Sequence, residues 1–217
     1  MAVELYDEHE QSERVRRWIK EYGFSIVLGL VLAFGGIFGY RTWQDQQVTQ
    51  RYLAAEYFDV IQRELDGGDL DFAEEQYQTM RDSVSRSAYV GLAGMLMAGA
   101  YIEDGRLEPA ARIYRDILAN RKLEAVQPVA TVRLARILEA QGDVQAALAL
   151  VEGEAPPGFQ GAWADVRGDL LMSRGELEQA RMAYQEALDN LAGDGRGRHL
   201  IQMKIDATGP GLAEDAS

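Results

Sequence analysis

Asp165 and Asp169 stand four residues apart. On a helix that spacing puts both carboxylates on one face, one turn apart, as a general acid and base would need to be. Little else in the chain would support such chemistry. The sequence holds 2 His residues, His9 and His199, and no Cys. Disulfides, thiolate metal sites and a Cys nucleophile are therefore excluded. Spacing assembles no metal cluster and no nucleophile–base pair. Gly193, Gly195 and Gly197 resemble a phosphate-binding turn, but no strand precedes them and no Lys follows as a phosphate loop requires, so they read as a surface loop. Net charge is −13, with no compensating basic stripe, which disfavours nucleic acid as a partner. The competing reading of Asp165 and Asp169 is a solvated or concave acidic face. These observations predict a protein that is not an enzyme and carries no cofactor.

The elements that would position these residues are helices. Only 5 of 217 residues are Pro, and Ala, Leu, Glu and Arg, all strong helix formers, are abundant. One pattern recurs: Gly105-Arg-Leu107-x-x-Ala110-x-x-x-Tyr114, then Gly142-Asp-Val144-x-x-Ala147-x-x-x-Val151, then Gly175-Glu-Leu177-x-x-Ala180-x-x-x-Tyr184. The period is close to that of tetratricopeptide repeats, roughly 34 residues. Gly suits the tight turn between two helices, and the small Ala lets the second helix approach the first. The preceding helices agree: Ala98, Ala135 and Gly168 hold a small position, and Tyr101, Leu138 and Leu171 a large one. A fourth, degenerate copy lies upstream at Gly68-Asp-Leu70-x-x-Ala73-x-x-x-Tyr77, with Ile61 where the small residue should be. Ala88 to Ile102 carries no charge but is short for a membrane span, and is expected as the central buried helix of the array. Leu200, Ile201, Met203 and Ile205 are expected to cap its open end.

Gly23 to Tyr40 is uncharged and, as a helix, extends roughly 27 Å, about one hydrocarbon core. Trp18 and Tyr22 flank one end, and Tyr40 and Trp43 the other, where amphipathic rings meet headgroups. A cleaved signal peptide fits less well, because the apolar run is long and its one small-x-small site lies inside it. Arg14, Arg16, Arg17 and Lys20 precede the span, and Arg41 follows it closely. Positive residues stay inside, so the N-terminus is expected in the cytoplasm. Ser25, Gly29 and Ala33 form one row of small residues and Gly35 with Gly39 another, a candidate helix-packing face. The expected organisation is all-α: cytoplasmic tail 1–22, transmembrane helix 23–40, a repeat solenoid over 41–206, and a disordered tail 207–217.

In a repeat solenoid the first helix of each hairpin lines the concave face. The register places Leu92, Met95 and Ile102 there, then Val132 and Arg136, then Asp165, Asp169 and Met172. Met and aliphatic side chains suit adaptable apolar binding. Leu92 and Met95 could instead belong to the core, covered by the long N-terminal helix.

The segments Glu13-Arg-Val15-Arg-Arg17-Trp18-Ile-Lys20-Glu21-Tyr-Gly23, Gly39-Tyr-Arg41-x-Trp43, Ala164-Asp165-Val-Arg167-Gly168-Asp169 and Gln202-Met203-Lys204-Ile205 occur in that order. In this order they resemble the YfgM-type family, ancillary subunits of the SecYEG translocon. The likeness runs from about residue 4 to about residue 206; the Gly-Pro-acidic extension after Asp206 is additional. It implies a bacterial inner-membrane protein with a periplasmic repeat domain, and SecYEG and a PpiD-like membrane chaperone as partners. Its implied clients are unfolded secretory proteins, handed on to periplasmic chaperones. A scaffold for envelope assembly, without client binding, is the alternative.

Overall fold

A computed structural model describes residues 4–191 and 195–209. They form helices with no strand among them: α1 (Glu4–Asp66), α2 (Leu70–Val84), α3 (Ala88–Glu103), α4 (Leu107–Ala119), a 3-10 turn (Arg121–Val126), α5 (Gln127–Ala140), α6 (Val144–Val151), α7 (Gln160–Ser173), α8 (Leu177–Asp189) and α9 (Gly195–Ala207). The chain divides into two compact units, Met1–Tyr52 and Leu53–Ser217.

The first unit is helical throughout its described length. From Val27 to Gln50 every residue is exposed, Phe24, Phe34 and Phe38 by more than two-thirds of their surface. The rings of Trp18 and Tyr22 lie 6.1 Å apart, as do those of Tyr40 and Trp43, so an aromatic pair marks each end of the apolar run. Among the described residues one helix is long and apolar enough to cross a membrane, and none of its most apolar window is buried within the protein.

The second unit is a stack of helical hairpins. The last turns of α1 pair with α2, then α3 with α4, α5 with α6, and α7 with α8. The turns share one geometry. Gly68, Gly105, Gly142 and Gly175 all take φ between 76° and 84°, a left-handed backbone that side chains resist. The N–H of the next residue then donates to the carbonyl five residues back: Asp69 to Glu64, Arg106 to Tyr101, Asp143 to Leu138 and Glu176 to Leu171, at 2.7–3.0 Å. These are Schellman closures, which satisfy carbonyls that the helix end would leave open. Asp69 and Asp143 then cap α2 and α6, accepting from Phe72 N and Ala146 N at 3.0 Å.

Packing follows the small–large alternation. Ala98 and Ala135 are fully buried, Gly168 is buried, and Tyr114, Val151 and Tyr184 fill the space opposite. A Cβ on Gly168 would run into the Tyr184 ring, and one on Gly94 would meet the Tyr77 hydroxyl at 2.7 Å. Ile61 occupies the small position of the first hairpin and is fully buried, as is Ala54 about two turns earlier. Phe58 stacks against Tyr89 of α3 at 5.7 Å. α3, uncharged up to its final Glu103, buries Val90, Ala93, Met97, Ala98 and Tyr101 in the centre of the stack, as its register requires.

α9 continues the stack beyond α8. Its inner face is Ile201, Lys204, Ile205 and Thr208, a period of three and four, while Leu200 and Met203 face outward and are about half exposed. The cap therefore rests on two of the four apolar residues expected there. Ala207 closes α9, and the buried Thr208 is held by Arg181, whose Nε donates to its Oγ1 and whose guanidinium NH2 donates to its carbonyl, each at 2.9 Å. The remainder of the expected tail, 210–217, lies outside the described residues. The glycine-rich stretch expected as a loop is split: 192–194 lies outside them, and Gly195 and Gly197 belong to the first turn of α9.

Thermal unfolding by circular dichroism checks the packing. Gly168→Ala should lower stability by about 1–3 kcal/mol, since the Tyr184 ring is buried and hydrogen-bonded and has nowhere to retreat. Gly99→Ala, where a Cβ meets nothing within 4 Å, should raise stability by up to about 1 kcal/mol through helix propensity.

Candidate protein-binding face

Successive hairpins have the same helix order, so their first helices run parallel and equivalent positions align. Ten residues before each turn glycine stand Met95, Val132 and Asp165; six before stand Gly99, Arg136 and Asp169; three before stand Ile102, Glu139 and Met172. The character of this face thus changes along the stack, from apolar on α3, through mixed on α5 (Val132, Arg136, Glu139), to acidic on α7.

At the apolar end lies an open groove of about 700 Å3. Leu65 and Asp66 of α1 contribute to it, with Met95, Leu96, Gly99, Ile102 and Glu103 of α3. Leu107 and Tyr114 come from α4, and Arg133, Arg136, Ile137 and Ala140 from α5. Of the eight residues expected on the binding face, Met95, Ile102 and Arg136 meet here. Leu92 is 43% exposed on the same helix but lines no part of the groove. Val132 and Met172 are half-buried against the core. Leu92 is thus open to solvent rather than covered by α1.

Sequence reasoning missed Leu96, Gly99, Leu107, Tyr114 and Arg133. Gly99 could have been found, because it shares the register of Arg136 and Asp169 and removes a side chain from that row. Tyr114 is fully buried, and its hydroxyl makes no hydrogen bond of ordinary geometry. Burial raises its pKa, and the neighbouring Arg133 offsets part of that rise.

Asp165 and Asp169 have partners within the chain. Lys204 of α9 reaches Asp165 Oδ1 at 2.6 Å and Asp169 Oδ2 at 2.9 Å. The Tyr184 hydroxyl donates to Asp169 Oδ1 at 2.9 Å, and the Lys204 ammonium sits 5.4 Å from the centre of the Tyr184 ring. Arg136 extends the row, 3.8 Å from Asp165. Burial alone would lower the pKa of Lys204, but hydrogen bonds and charge from the two carboxylates outweigh it and hold the pKa above its ordinary value. Glu139, on the same face, is raised by burial first and by the charge of Asp169 second. The tyrosine hydroxyl of Tyr184 is raised by burial, then by its hydrogen bond to Asp169. An ammonium bridging the two carboxylates makes this cluster a clamp between α7 and α9.

In the first unit Ser25, Gly29, Ala33, Gly35 and Gly39 are exposed, and Cβ atoms on the three glycines would meet nothing. At 100° per residue Gly36 falls within the first row, and Leu28 and Leu32 stand among and between the small residues, so the two rows are interleaved with large side chains.

A stacked array of Gly-turned hairpins with an open face defines a helical-repeat protein whose surface suits macromolecular contacts. The chain belongs to the family described as tetratricopeptide repeat-like domain, which it matches over residues 16–210. Relatives resemble it along nearly their whole length. It is 28% identical to the ancillary SecYEG translocon subunit of Escherichia coli (strain K12) over 207 residues, 94% of this chain and 98% of the relative. It is 26% identical to the subunit of the same name from Aggregatibacter actinomycetemcomitans over 207 residues, 95% and 99% of the two chains. For the Neisseria gonorrhoeae (strain ATCC 700825 / FA 1090) protein of that name the identity is 24% over 208 residues, 95% and 99%.

The clamp has a signature in pH. Because the folded state raises the pKa of Lys204, its contribution is fully present below the ordinary value of 10.5 and is lost as pH rises past the folded value. Lys204→Met should therefore melt below the unsubstituted protein at pH 8. The gap between the two should narrow above about pH 10.5. The buried tyrosines away from Lys204 (Tyr77, Tyr101 and Tyr114) are common to both proteins and weaken both alike. A gap that stays constant to pH 11.5 would dissociate Lys204 from the stability of the last hairpin.

Proposed function

We propose that this protein is a single-pass accessory subunit of the SecYEG translocon in the bacterial inner membrane, with residues 1–22 in the cytoplasm, 23–40 in the bilayer and the repeat domain in the periplasm. The repeat domain binds segments of secretory proteins as they emerge and, in association with a PpiD-like membrane-anchored chaperone, helps hand them to periplasmic chaperones. The observation that carries the reading is the open groove at Met95, Gly99 and Ile102, part of a chain that resembles translocon subunits over 94% of its length and has, among the described residues, one long apolar helix unburied within the protein. A groove of this size accommodates several side chains of an extended segment. The four basic residues before the span against Arg41 behind it support the orientation. The two rows of small residues in the span give a second surface, suited to a helix of the translocon or of the chaperone.

Two measurements test this. Purified from membranes in mild detergent, the tagged chain should bring SecY and a PpiD-like chaperone with it; recovery of envelope-assembly machinery without SecY would replace the reading by a scaffold. Photo-crosslinkers at Leu96 and Ile102 should capture nascent secretory proteins, and Met95→Glu should reduce their yield by about fivefold, because it places a charge in an apolar groove. Met172→Glu, which lies outside the groove, should leave the yield nearly unchanged. Undiminished crosslinking in a folded Met95→Glu protein would remove the groove from client binding.

A further inference from the structure

The groove is polar at its edges, and the charges are arranged in order. Asp66 and Glu103 each stand two residues before their turn glycine, and Arg133 and Arg136 stand nine and six before theirs. With the first helices parallel, the basic pair lies roughly 6–10 Å from the acidic pair along the helix direction. Met95, Leu96, Ile102, Leu107 and Ile137 line the groove with them, and Gly99 leaves room in their midst.

The two arginines are not equivalent. Arg136 leans on Asp165 at 3.8 Å, whereas Arg133 makes no ion pair among the described residues. Tyr114 lies beneath Arg133 at the base of the groove, its hydroxyl shielded from solvent and next to the guanidinium. A carboxylate entering the groove would accept from the exposed Arg133, whose guanidinium supplies charge-assisted donors. At the other end Asp66 and Glu103 favour a cation.

We infer that the groove binds a segment of polypeptide with a fixed charge order: an acidic side chain at Arg133, two or three apolar side chains over Gly99, and a basic side chain at Asp66 and Glu103. The occupant is a stretch of unfolded secretory protein, so this rests on the client-binding reading above and adds a selection rule to it. Apolar surface supplies the attraction, and the charges set direction and register. Segments that are apolar alone, or apolar with basic residues on both sides, leave Arg133 without its counter-charge and are bound less well.

Fluorescence anisotropy against the full chain in lipid nanodiscs tests the rule with three labelled peptides that share a Leu-Phe-Leu core. One carries Glu before the core and Lys after it, one Gln at both positions, and one Lys at both. The Glu/Lys peptide should bind about fivefold more tightly than the Gln peptide, as expected for a partly screened charge pair. Arg133→Glu should abolish that advantage and make the Lys/Lys peptide the tightest. Gly99→Leu, which fills the groove without straining the helix, should weaken all three. Arg133→Gln provides a milder variant, expected to remove the advantage without creating a new one, should the charge reversal lower the melting temperature. Equal binding of the three peptides, an advantage that survives both Arg133 variants, or binding that Gly99→Leu leaves intact would each overturn the proposal. Client crosslinking from Leu96 is read in parallel. Crosslinking retained alongside indifferent peptides removes the charge rule and keeps client binding, and crosslinking lost from the unsubstituted chain removes both.

Discussion

The fold turns on a contact in which one helix gives up its side chain. Gly168 of α7 lies directly under the Tyr184 ring of α8, and that space admits no other residue without moving a buried aromatic. Several features follow from it. With the ring seated, the Tyr184 hydroxyl reaches Asp169 and fixes the orientation of its carboxylate. Asp169 and Asp165 then hold Lys204 at hydrogen-bonding distance, which draws α9 against the end of the stack. A repeat array needs such an end, because its last hairpin has no neighbour to bury its outer surface. Here the closure is part ionic and part apolar, with Ile201 buried beside the lysine.

The same register explains why one part of the face is closed and another open. At the sixth position before the turn, Asp169 is engaged by Lys204 and Arg136 approaches Asp165, so charge on one helix is met by charge on the next. Gly99 breaks the row. With no side chain there, α3 presents a recess flanked by Met95 and Ile102, and the groove appears where the charge ladder stops. An opening of this kind costs little in stability, since the core beneath it is already filled by the fully buried Met97, Ala98 and Tyr114. Binding capacity and stability are thereby assigned to different positions of the same helices.

Much of this was legible in the sequence, because the constraint repeats. A turn that requires a left-handed residue leaves Gly at a fixed interval, and a close helix crossing leaves Ala or Gly seven residues earlier. Three copies reveal both. The first hairpin was harder to read, because its first helix is the end of α1 and carries Ile61 where the others are small. The cap was half legible: Ile201 and Ile205 follow from hydropathy, but the inward turn of Lys204 depends on the Asp165 and Asp169 carboxylates on another helix. That pairing, separated by 39 residues in sequence, is why two residues expected on a free face are engaged in a clamp. The groove was visible only in part, since a recess is made by absent side chains and by Tyr114 and Leu107 from the second helix of a hairpin. Periodicity along a single helix does not show them.

The chain carries two apolar surfaces, and their borders distinguish them. Between Val27 and Gln50 every residue is exposed, and the apolar part of that stretch is uncharged and flanked by aromatic rings rather than by ion-pairing groups. Such a surface, far larger than the apolar patches of soluble proteins, is matched by hydrocarbon, which offers no partners and needs none. The groove on the repeat domain is smaller, and it is edged by Arg133, Arg136, Asp66 and Glu103. Lipid tails would leave those charges without partners, whereas a polypeptide supplies amides and side chains of both signs. In a protein with net charge −13, two arginines at one recess are a local exception to the prevailing field. An exception held in the open at an apolar recess fits a surface shaped by what it receives, and core packing alone does not account for it.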